Sequence, residues 1–181
     1  CGIGSGLGRD IETVQPGTGW FEMSTNSREL LQQLHGAFAP LGAQVLDAPV
    51  SGGALGAVRG KLAIWVGGCK ETSERFEPML KAMGDRSLHV GELGAGMVTK
   101  LVHNCASQSI QAAIAEVFSL GVKAGAEPLA LWAAIRQGSI GRRRTFDGLI
   151  DEFLPADYDT PRAALRIIEK DLQLATQLAR D

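Results

Sequence analysis

The sequence predicts an α/β protein, the C-terminal half of a Rossmann-type domain followed by an all-α domain. Residues 1–90 alternate strand-like and helix-like segments, as in a sheet covered by helices. After Gly96, apolar residues recur only at helical spacing. A content of 45% hydrophobic and 21% charged residues suits a packed core. We therefore predict a Rossmann-like domain over residues 1–93 and a helical domain over residues 94–181.

Strands and helices alternate in the first domain after a turn at Pro16-Gly17. The predicted strands cover residues 20–23, 44–50, 61–66 and 87–90. One of the polar residues 24–27 caps the first helix, which ends before Gly42. The second helix covers about residues 71–83.

Only helices are predicted for the second domain. They cover residue 96 to about 121–125, and then residues 128–136, 144–154 and 161–181. In the last helix, the periodicity places Leu165, Ile168, Leu172 and Ala175 on the buried side, and Lys170 lies off that side.

Charge and cysteine content exclude several function classes. The net charge is −2 and the one dense basic run is Arg142-Arg143-Arg144, so no general nucleic-acid surface is expected. No apolar run reaches the roughly 20 residues of a membrane span, and no signal peptide is visible. The three cysteines lie far apart, without C-x-x-C pairing or metal-ligand spacing to a histidine. We expect a reduced, cytoplasmic protein without a metal site.

Because the chain begins at Cys1 without a methionine and stops at Asp181 inside an amphipathic pattern, we interpret it as a fragment.

The first candidate site is the end of a predicted strand, where Asp47-Ala-Pro-Val leads into Ser51-Gly52-Gly53. Glycines expose backbone N–H groups, and successive N–H groups form a concave site for a carboxylate. Ligands bind open α/β sheets at the carboxyl ends of strands. The alternative is an ordinary turn, since glycine-rich strand ends are common.

The second candidate site is the beginning of the long helix. Lys100 and Asn104 are one helical turn apart and share a face. Apolar packing beside a lysine can lower its pKa toward neutrality, which suits proton transfer, and an amide such as Asn104 can hold a substrate oxygen. Spacing alone favours an ordinary solvated face. The glycine-rich segment just before the helix weakens that interpretation.

Other patterns carry less chemistry. Lys170 is by default a surface lysine. The run from Gly2 to Gly8 is not a dinucleotide fingerprint, because Leu7 or Arg9 occupies the third glycine position and no strand precedes it. The sequence has no Ser-His-Asp set, no H-E-x-x-H zinc motif and no P-loop.

Three segments resemble the 3-hydroxyisobutyrate dehydrogenase family, the β-hydroxyacid dehydrogenases that include tartronate semialdehyde reductases. Residues 47–68 (DAPVSGGALGAVRGKLAIWVGG) resemble its substrate-binding segment. Residues 94–104 (GAGMVTKLVHN) resemble the start of its catalytic helix, and residues 170–175 (KDLQLA) resemble its late Lys-Asp-Leu motif. The segments occur in the family's order over almost the whole chain.

The resemblance implies an NAD- or NADP-dependent enzyme that interconverts a short 3-hydroxy acid and its semialdehyde. It implies that Lys100 is the general acid/base, that Thr25 approaches the nicotinamide, and that Lys170 reaches the cofactor and substrate. The implied substrate-binding residues are Ser51, Gly52, Gly53 and Asn104. A homodimer or homotetramer formed through the long helix is implied as well.

The chain departs from the family pattern in several places. It lacks the N-terminal glycine fingerprint with the first βαβ units and the usual C-terminal end, so the sequence does not distinguish NAD from NADP. Ala163 stands where the family usually has an aromatic residue, and Arg142 to Arg144 replace small and aromatic residues of a substrate-lining loop. We hypothesise a larger or more anionic substrate than hydroxyisobutyrate.

Three alternatives compete with this assignment. A 6-phosphogluconate dehydrogenase-like enzyme shares the Lys100-to-Asn104 segment, but typically has His where Met97 stands. A non-catalytic member that serves as an oligomerisation or interaction module would lack the catalytic lysine. An imine reductase would lack it too, and Lys100 is present.

Overall fold

The computed structural model describes residues 14–138, 140–141, 165–178 and 180. The chain divides into two compact units, Cys1–Val102 with Leu174–Asp181 and His103–Gln173. The elements confirm the predicted fold class, a Rossmann-type α/β region followed by a helical one. The exact domain boundary near residue 93 stays a prediction.

The first unit contains a mixed sheet of β1 (Gly19–Glu22), β2 (Gln44–Asp47), β3 (Val50–Ser51), β4 (Ala63–Gly67) and β5 (Arg86–Gly91). Strands β1 and β2 are parallel, and so are β4 and β5. Strand β4 runs antiparallel to β2 and β3. Because β1 and β2 point the same way, the segments that follow them leave the sheet at the same edge.

Helix α1 (Arg28–Phe38) follows β1 and packs on β2. The Ser27 hydroxyl caps it by accepting the Leu30 N–H at 3.3 Å. A 3-10 turn, Ala39–Leu41, then ends at Gly42, whose φ of 77° favours glycine. The buried cluster of this layer is Leu31, Leu34, Phe38, Ala43 and Val45.

The other helices of the first unit are short: α2 (Gly53–Val58), α3 (Lys70–Arg75) and α4 (Glu77–Met83). A second buried cluster joins β2 and β4 to α4, and its members are Leu46, Ala48, Ile64, Val66 and Leu80. Helix α2 is an addition to the predicted elements, because its glycine-containing sequence has a low helix propensity.

The strand predicted over residues 44–50 consists of two strands, β2 and β3. Pro49 lies between them and has no N–H to donate to the ladder. The Ala48 N–H donates to the Glu22 carbonyl of β1 at 2.8 Å, whereas the Pro49 carbonyl accepts the Trp65 N–H of β4 at 3.2 Å. The chain therefore loses β1 as a neighbour after Ala48, whereas its pairing with β4 begins at Asp47 and continues through Ser51.

The helix predicted over residues 71–83 is also divided, and α3 and α4 meet at Phe76. Pro78 lies in the first turn of α4, where its missing N–H leaves no helical bond unmade. In a continuous helix the proline ring would clash with the preceding turn. The proline therefore begins a new helix.

Helix α5 (Ala95–Lys123) belongs to the first unit at its beginning and to the second unit from His103 onward. It is followed by α6 (Pro128–Gln137), whose first turn is capped by the Glu127 carboxylate. The buried cluster between the two helices consists of Ile114 and Phe118 with Leu131, Trp132 and Ile135.

The last described helix is α7 (Leu165–Leu178), and its buried position is Asp171, which is 7% exposed. Leu165 and Leu172 are 82% and 38% exposed, so the prediction that they are buried is wrong. The periodicity of leucines misled it, because the inward face carries a hydrogen-bonded carboxylate instead. The helix predicted over residues 144–154, the arginine run 142–144 and the glycine run 2–8 lie outside the described residues.

No described helix combines the length and the apolar character that a membrane crossing requires. Within the described ranges, no group of His, Cys, Asp and Glu side chains could hold a metal ion.

Candidate active site

The turn after β3 contains two glycines with positive φ angles. Ser51 ends the strand and is partly buried, and Gly52 and Gly53 have φ values of 135° and 61°. A Cβ on Gly52 would lie 3.2 Å from the Leu62 side chain, whereas a Cβ on Gly53 would have no heavy atom within 4 Å. Both conformations favour glycine, and the Gly53 backbone faces open space that a ligand can enter.

Asp47, the last residue of β2, fixes the beginning of helix α5. Its side chain is fully buried, and its Oδ1 accepts the Gly94 N–H at 2.7 Å. Its Oδ2 accepts the Met97 N–H at 2.6 Å. These N–H groups have no partner within the helix, so Asp47 acts as a helix cap from a distant part of the chain.

Two glycines let the helix approach the sheet so closely. A Cβ on Gly96 would overlap the Trp65 carbonyl oxygen and lie 2.9 Å from Asp47 Oδ2. A Cβ on Gly67 would overlap Asp47 Oδ1 and lie 2.9 Å from the Gly96 nitrogen. Glycine at both positions is therefore a packing requirement of the Asp47 cap.

The environment of Asp47 moves its pKa in two directions. Burial, the larger effect, raises the pKa of the carboxyl above its ordinary value, and the backbone hydrogen bonds, including those from Gly94 and Met97, lower it. The net direction is upward.

Lys100 lies on α5 just after this anchored turn. Its side chain is partly buried, and Met97 and Leu101, which flank it on the helix, are 0% and 3% exposed. The hydrogen bonds of Asp47 fix the helical turn from which Lys100 projects. Asp47 lies in the same β2–β3 segment that continues into Ser51, so one stretch of chain holds the helix start and forms the open turn.

Thr25 lies in the loop between β1 and α1, beyond the carboxyl end of β1. Glu22 holds this loop: its Oε1 accepts the Ser24 N–H at 2.9 Å and an Nδ2 hydrogen of Asn26 at 3.1 Å. The loop is thus fixed next to the edge where β2 also ends.

In the second unit, Asn104 of α5 contacts Asp171 of α7. The Asn104 Nδ2 donates to Asp171 Oδ2 at 2.6 Å, and the His103 Nδ1 lies 3.0 Å from Asn104 Oδ1. Lys170, which is about half exposed, forms an ion pair with Asp171, with 2.9 Å between Nζ and Oδ1. The structure therefore brings together two of the sequence-predicted residues, Asn104 and Lys170, through Asp171.

Sequence reasoning assigned no role to Asp47 or Asp171, although both lie in the motifs that it singled out. A charged residue at the end of an otherwise apolar strand was the available signal for Asp47. For Asp171 the signal was its helical spacing from Ile168 and Ala175, which puts a carboxylate on the inward face.

A cleft of about 300 Å³ lies beside α1 and the start of β2. Its lining includes His35, Gln44, Cys69 and Glu92, and none of the sequence-predicted site residues lines it. This cleft is therefore separate from the candidate site.

The sheet of the first unit, with candidate ligand loops after β1 and β3, defines a Rossmann-type α/β protein. Two family models match the chain. One, described as the NAD binding domain of 6-phosphogluconate dehydrogenase, matches residues 8–91. The other, described as NAD-binding of NADP-dependent 3-hydroxyisobutyrate dehydrogenase, matches residues 94–181.

Individual relatives agree with these models. Sequence identity is 32% over 177 residues with 2-(hydroxymethyl)glutarate dehydrogenase of Eubacterium barkeri, covering 98% of this chain and 58% of the relative. It is 34% over 172 residues with the NAD-dependent L-serine dehydrogenase of Pseudomonas aeruginosa, covering 92% and 57%. A solved structure of Mycobacterium tuberculosis 3-hydroxyisobutyrate dehydrogenase with L-serine has a TM-score of 0.81 and 31% identity, covering 94% of this chain and 60% of that one.

The chain therefore belongs to the β-hydroxyacid dehydrogenase family, as its sequence motifs predicted. It spans less than two thirds of the length of these relatives.

Proposed function

We propose that this chain is part of an NAD- or NADP-dependent dehydrogenase that interconverts a 3-hydroxy acid and its semialdehyde, with Lys100 as the acid/base. The observation that carries the proposal is the double hydrogen bond of Asp47 to the start of α5. These bonds attach the helical turn that carries Lys100 to the chain segment that continues into the Ser51–Gly53 turn. A side chain that transfers a proton must be held in position by such a rigid attachment.

The Ser51–Gly53 turn is proposed to bind the substrate carboxylate. The positive φ angles of Gly52 and Gly53 and the open space at Gly53 support this role, because backbone N–H groups next to them can approach an anion closely. The Ser51 hydroxyl can donate a further hydrogen bond to the same group.

Lys100 is proposed to move the proton. During oxidation its amine takes the proton of the substrate hydroxyl while the carbinol carbon loses hydride, and the C=O bond forms. During reduction the ammonium returns that proton to the carbonyl oxygen. Asn104, one helical turn further on, is proposed to hold the same oxygen.

The described residues fit the nicotinamide end of a dinucleotide. Dinucleotides bind at the carboxyl ends of parallel strands, and β1 and β2 form such a parallel pair with the Thr25 loop beyond it. A bound nicotinamide cofactor supplies the hydride acceptor and donor. Thr25 is proposed to hold its nicotinamide end, and Lys170 is proposed to interact with cofactor and substrate from the helical part.

The names of three relatives suggest a substrate class. 2-(Hydroxymethyl)glutarate, serine and 3-hydroxyisobutyrate all carry a hydroxymethyl group next to the carbon that bears the carboxylate. We propose the same unit for the substrate of this protein. A homodimer or homotetramer in the cytoplasm is proposed from the family resemblance.

The test is a substrate panel on the full-length natural protein with each cofactor. The panel contains 3-hydroxyisobutyrate, L-serine, 2-(hydroxymethyl)glutarate and 6-phosphogluconate. We expect turnover of at least one of the first three, and Lys100→Met lowers kcat by about 10²- to 10⁴-fold, the usual contribution of a general acid or base.

Lys123→Met is the matched control, because it removes a lysine from the exposed end of the same helix and should leave kcat unchanged. Near-normal turnover by Lys100→Met rejects the assigned role. Turnover of 6-phosphogluconate alone favours the phosphogluconate-type alternative, and no turnover at all favours a non-catalytic module.

A further inference from the structure

We propose that Asp171 is a positioning residue that fixes the side-chain amide of Asn104, so that one Nδ2 hydrogen of Asn104 is left to donate to the substrate oxygen. This inference rests on the proposed function. Asp171 itself is not proposed to touch the substrate and acts through Asn104.

The contact has the geometry of a strong, charge-assisted hydrogen bond. Asn104 Nδ2 and Asp171 Oδ2 are 2.6 Å apart, and Asp171 is 7% exposed. The residues come from α5 and α7 and are 67 positions apart in the sequence. A buried carboxylate needs such partners, and the Lys170 ammonium, 2.9 Å from Oδ1, supplies a compensating charge.

The Asp171 carboxylate determines the orientation of the Asn104 side-chain amide. An ionised Asp171 can only accept, so the Asn104 nitrogen must face it. The reversed amide would place its carbonyl oxygen 2.6 Å from a carboxylate oxygen, and the two acceptors would repel each other. On the other side, Asn104 Oδ1 lies 3.0 Å from His103 Nδ1, which can donate to it.

This orientation suits the reaction. The Asn104 nitrogen carries two hydrogens, and the bond to Asp171 uses one of them. A semialdehyde oxygen has only lone pairs and can be held only by a donor. A reversed Asn104 would present its carbonyl oxygen to that position and repel the substrate in the direction of reduction. The Lys170-Asp171 pair therefore has a role besides any contact of Lys170 with the cofactor.

The test compares two changes at this contact in the full-length protein. Asp171→Leu removes the acceptor at similar size, and we expect kcat/KM for reduction of the semialdehyde to fall by about ten- to hundredfold, the worth of a hydrogen bond to a charged group. The double variant Asn104→Asp with Asp171→Asn rebuilds the hydrogen bond with the donor and acceptor exchanged. It should recover thermal stability relative to Asp171→Leu, but not turnover, because residue 104 then offers only acceptors.

Glu169→Gln is the matched control. Glu169 lies on the same helix and accepts a hydrogen bond from the Gln173 amide at 3.2 Å, but this pair is exposed. Its variant should keep both turnover and stability. If the exchanged pair recovers turnover together with stability, the contact is merely structural and the proposal is overturned.

A second readout needs no activity. In the full-length protein labelled with ¹⁵N, we expect one side-chain Nδ2 proton of Asn104 to be shifted downfield by Asp171. The shift should vanish in Asp171→Leu and persist in Glu169→Gln. An Asn104 amide that is unchanged by Asp171→Leu overturns the inference even in an active enzyme. A fixed amide in a protein that turns over none of the acids rejects the proposed function, and with it the catalytic use of the amide.

Discussion

Asp47 and Asp171 are buried carboxylates that bind N–H groups beside proposed site residues. Asp47 accepts hydrogen bonds from backbone N–H groups at the start of the helix that carries Lys100. Asp171 accepts a hydrogen bond from the side-chain nitrogen of Asn104. Burial of a carboxylate costs free energy unless hydrogen bonds and charges compensate it. Both residues are thus placed where loss of the carboxylate would disturb a neighbour that the reaction is proposed to need.

The stability contribution of Asp47 should depend on pH in a direction that its raised pKa determines. The pKa of this carboxyl is 3.8 in the unfolded reference and higher in the folded protein, because burial outweighs the hydrogen bonds. Between these values the folded state holds more protons than the unfolded state, so the free energy of unfolding decreases as pH rises. The stabilisation is complete below the unfolded pKa and is lost as pH rises through the folded one.

The measurement is urea denaturation of the natural sequence and of Asp47→Asn at a series of pH values from 3.5 upward. We expect the stability difference, natural minus variant, to shrink with increasing pH in this window, because Asn does not titrate. Asp85→Asn, at an exposed aspartate, controls for general charge effects. A difference that widens with pH would mean that the hydrogen bonds outweigh burial at Asp47.

At the scale of one element, the start of helix α5 depends on a close approach that only glycine permits. Gly96→Ala would place a Cβ against the backbone carbonyl of Trp65 and against Oδ2 of the fully buried Asp47. We expect the free energy of unfolding to fall by about 1–3 kcal/mol, the usual cost of overpacking. Denaturant unfolding measures this change.

The same substitution in another helix gives the opposite sign. Gly36 lies inside α1, and a Cβ there would have no heavy atom within 4 Å. Gly36→Ala should therefore raise the free energy of unfolding by about 0.5–1 kcal/mol through helix propensity. Equal effects of the two substitutions would show that the tight contact at Gly96 carries no strain.

The same elements show how far the sequence predicts this fold. Local patterns located α1, β4 and α5 within a few residues, because cap residues, glycines and apolar periodicity act within one segment. Local patterns did not reveal that β1 ends as a neighbour after Ala48 while β4 continues past Pro49, since this depends on which strands lie on either side. The break before Pro78 had a local signal, the proline itself, and the apolar pattern obscured it.

In the candidate site, too, local sequence patterns identified some residues, and others depend on contacts between distant parts of the chain. Motifs identified Ser51, Lys100 and Asn104 as candidates, because a family resemblance is a property of short segments. Their supports, Asp47 and Asp171, act across 47 and 67 positions of sequence. Such pairings depend on tertiary packing, and a single sequence does not show which of its distant residues come into contact. In α7 the apolar pattern placed Leu165 and Leu172 inside, although both are exposed, whereas Ile168 and Ala175 of the same pattern are partly buried.

At the scale of the whole molecule, the buried clusters that the described residues form differ in size between the two units. Among the described residues, two clusters with five buried members each stabilise the sheet unit. The cluster of the helical unit has two buried members, Ile114 and Phe118, with partly buried neighbours on α6. Because stability follows buried apolar area, we expect the described helical unit to open more easily than the sheet.

Hydrogen exchange measured by mass spectrometry can test this difference with one substitution in each core. Phe118→Ala should cost the helical unit about 3–5 kcal/mol and speed exchange in α6 and the second half of α5, while β2 and β4 stay protected. Ile64→Ala, at a fully buried position of β4, should cost about 2–5 kcal/mol and speed exchange across the sheet. Val58→Ala, at a position 86% exposed, should change neither. Equal acceleration of exchange in β2, β4 and α6 by Phe118→Ala would mean that the chain opens as one cooperative body. The hydrogen bonds of Asp47 and those of Asp171 would then open in the same event rather than separately in each unit.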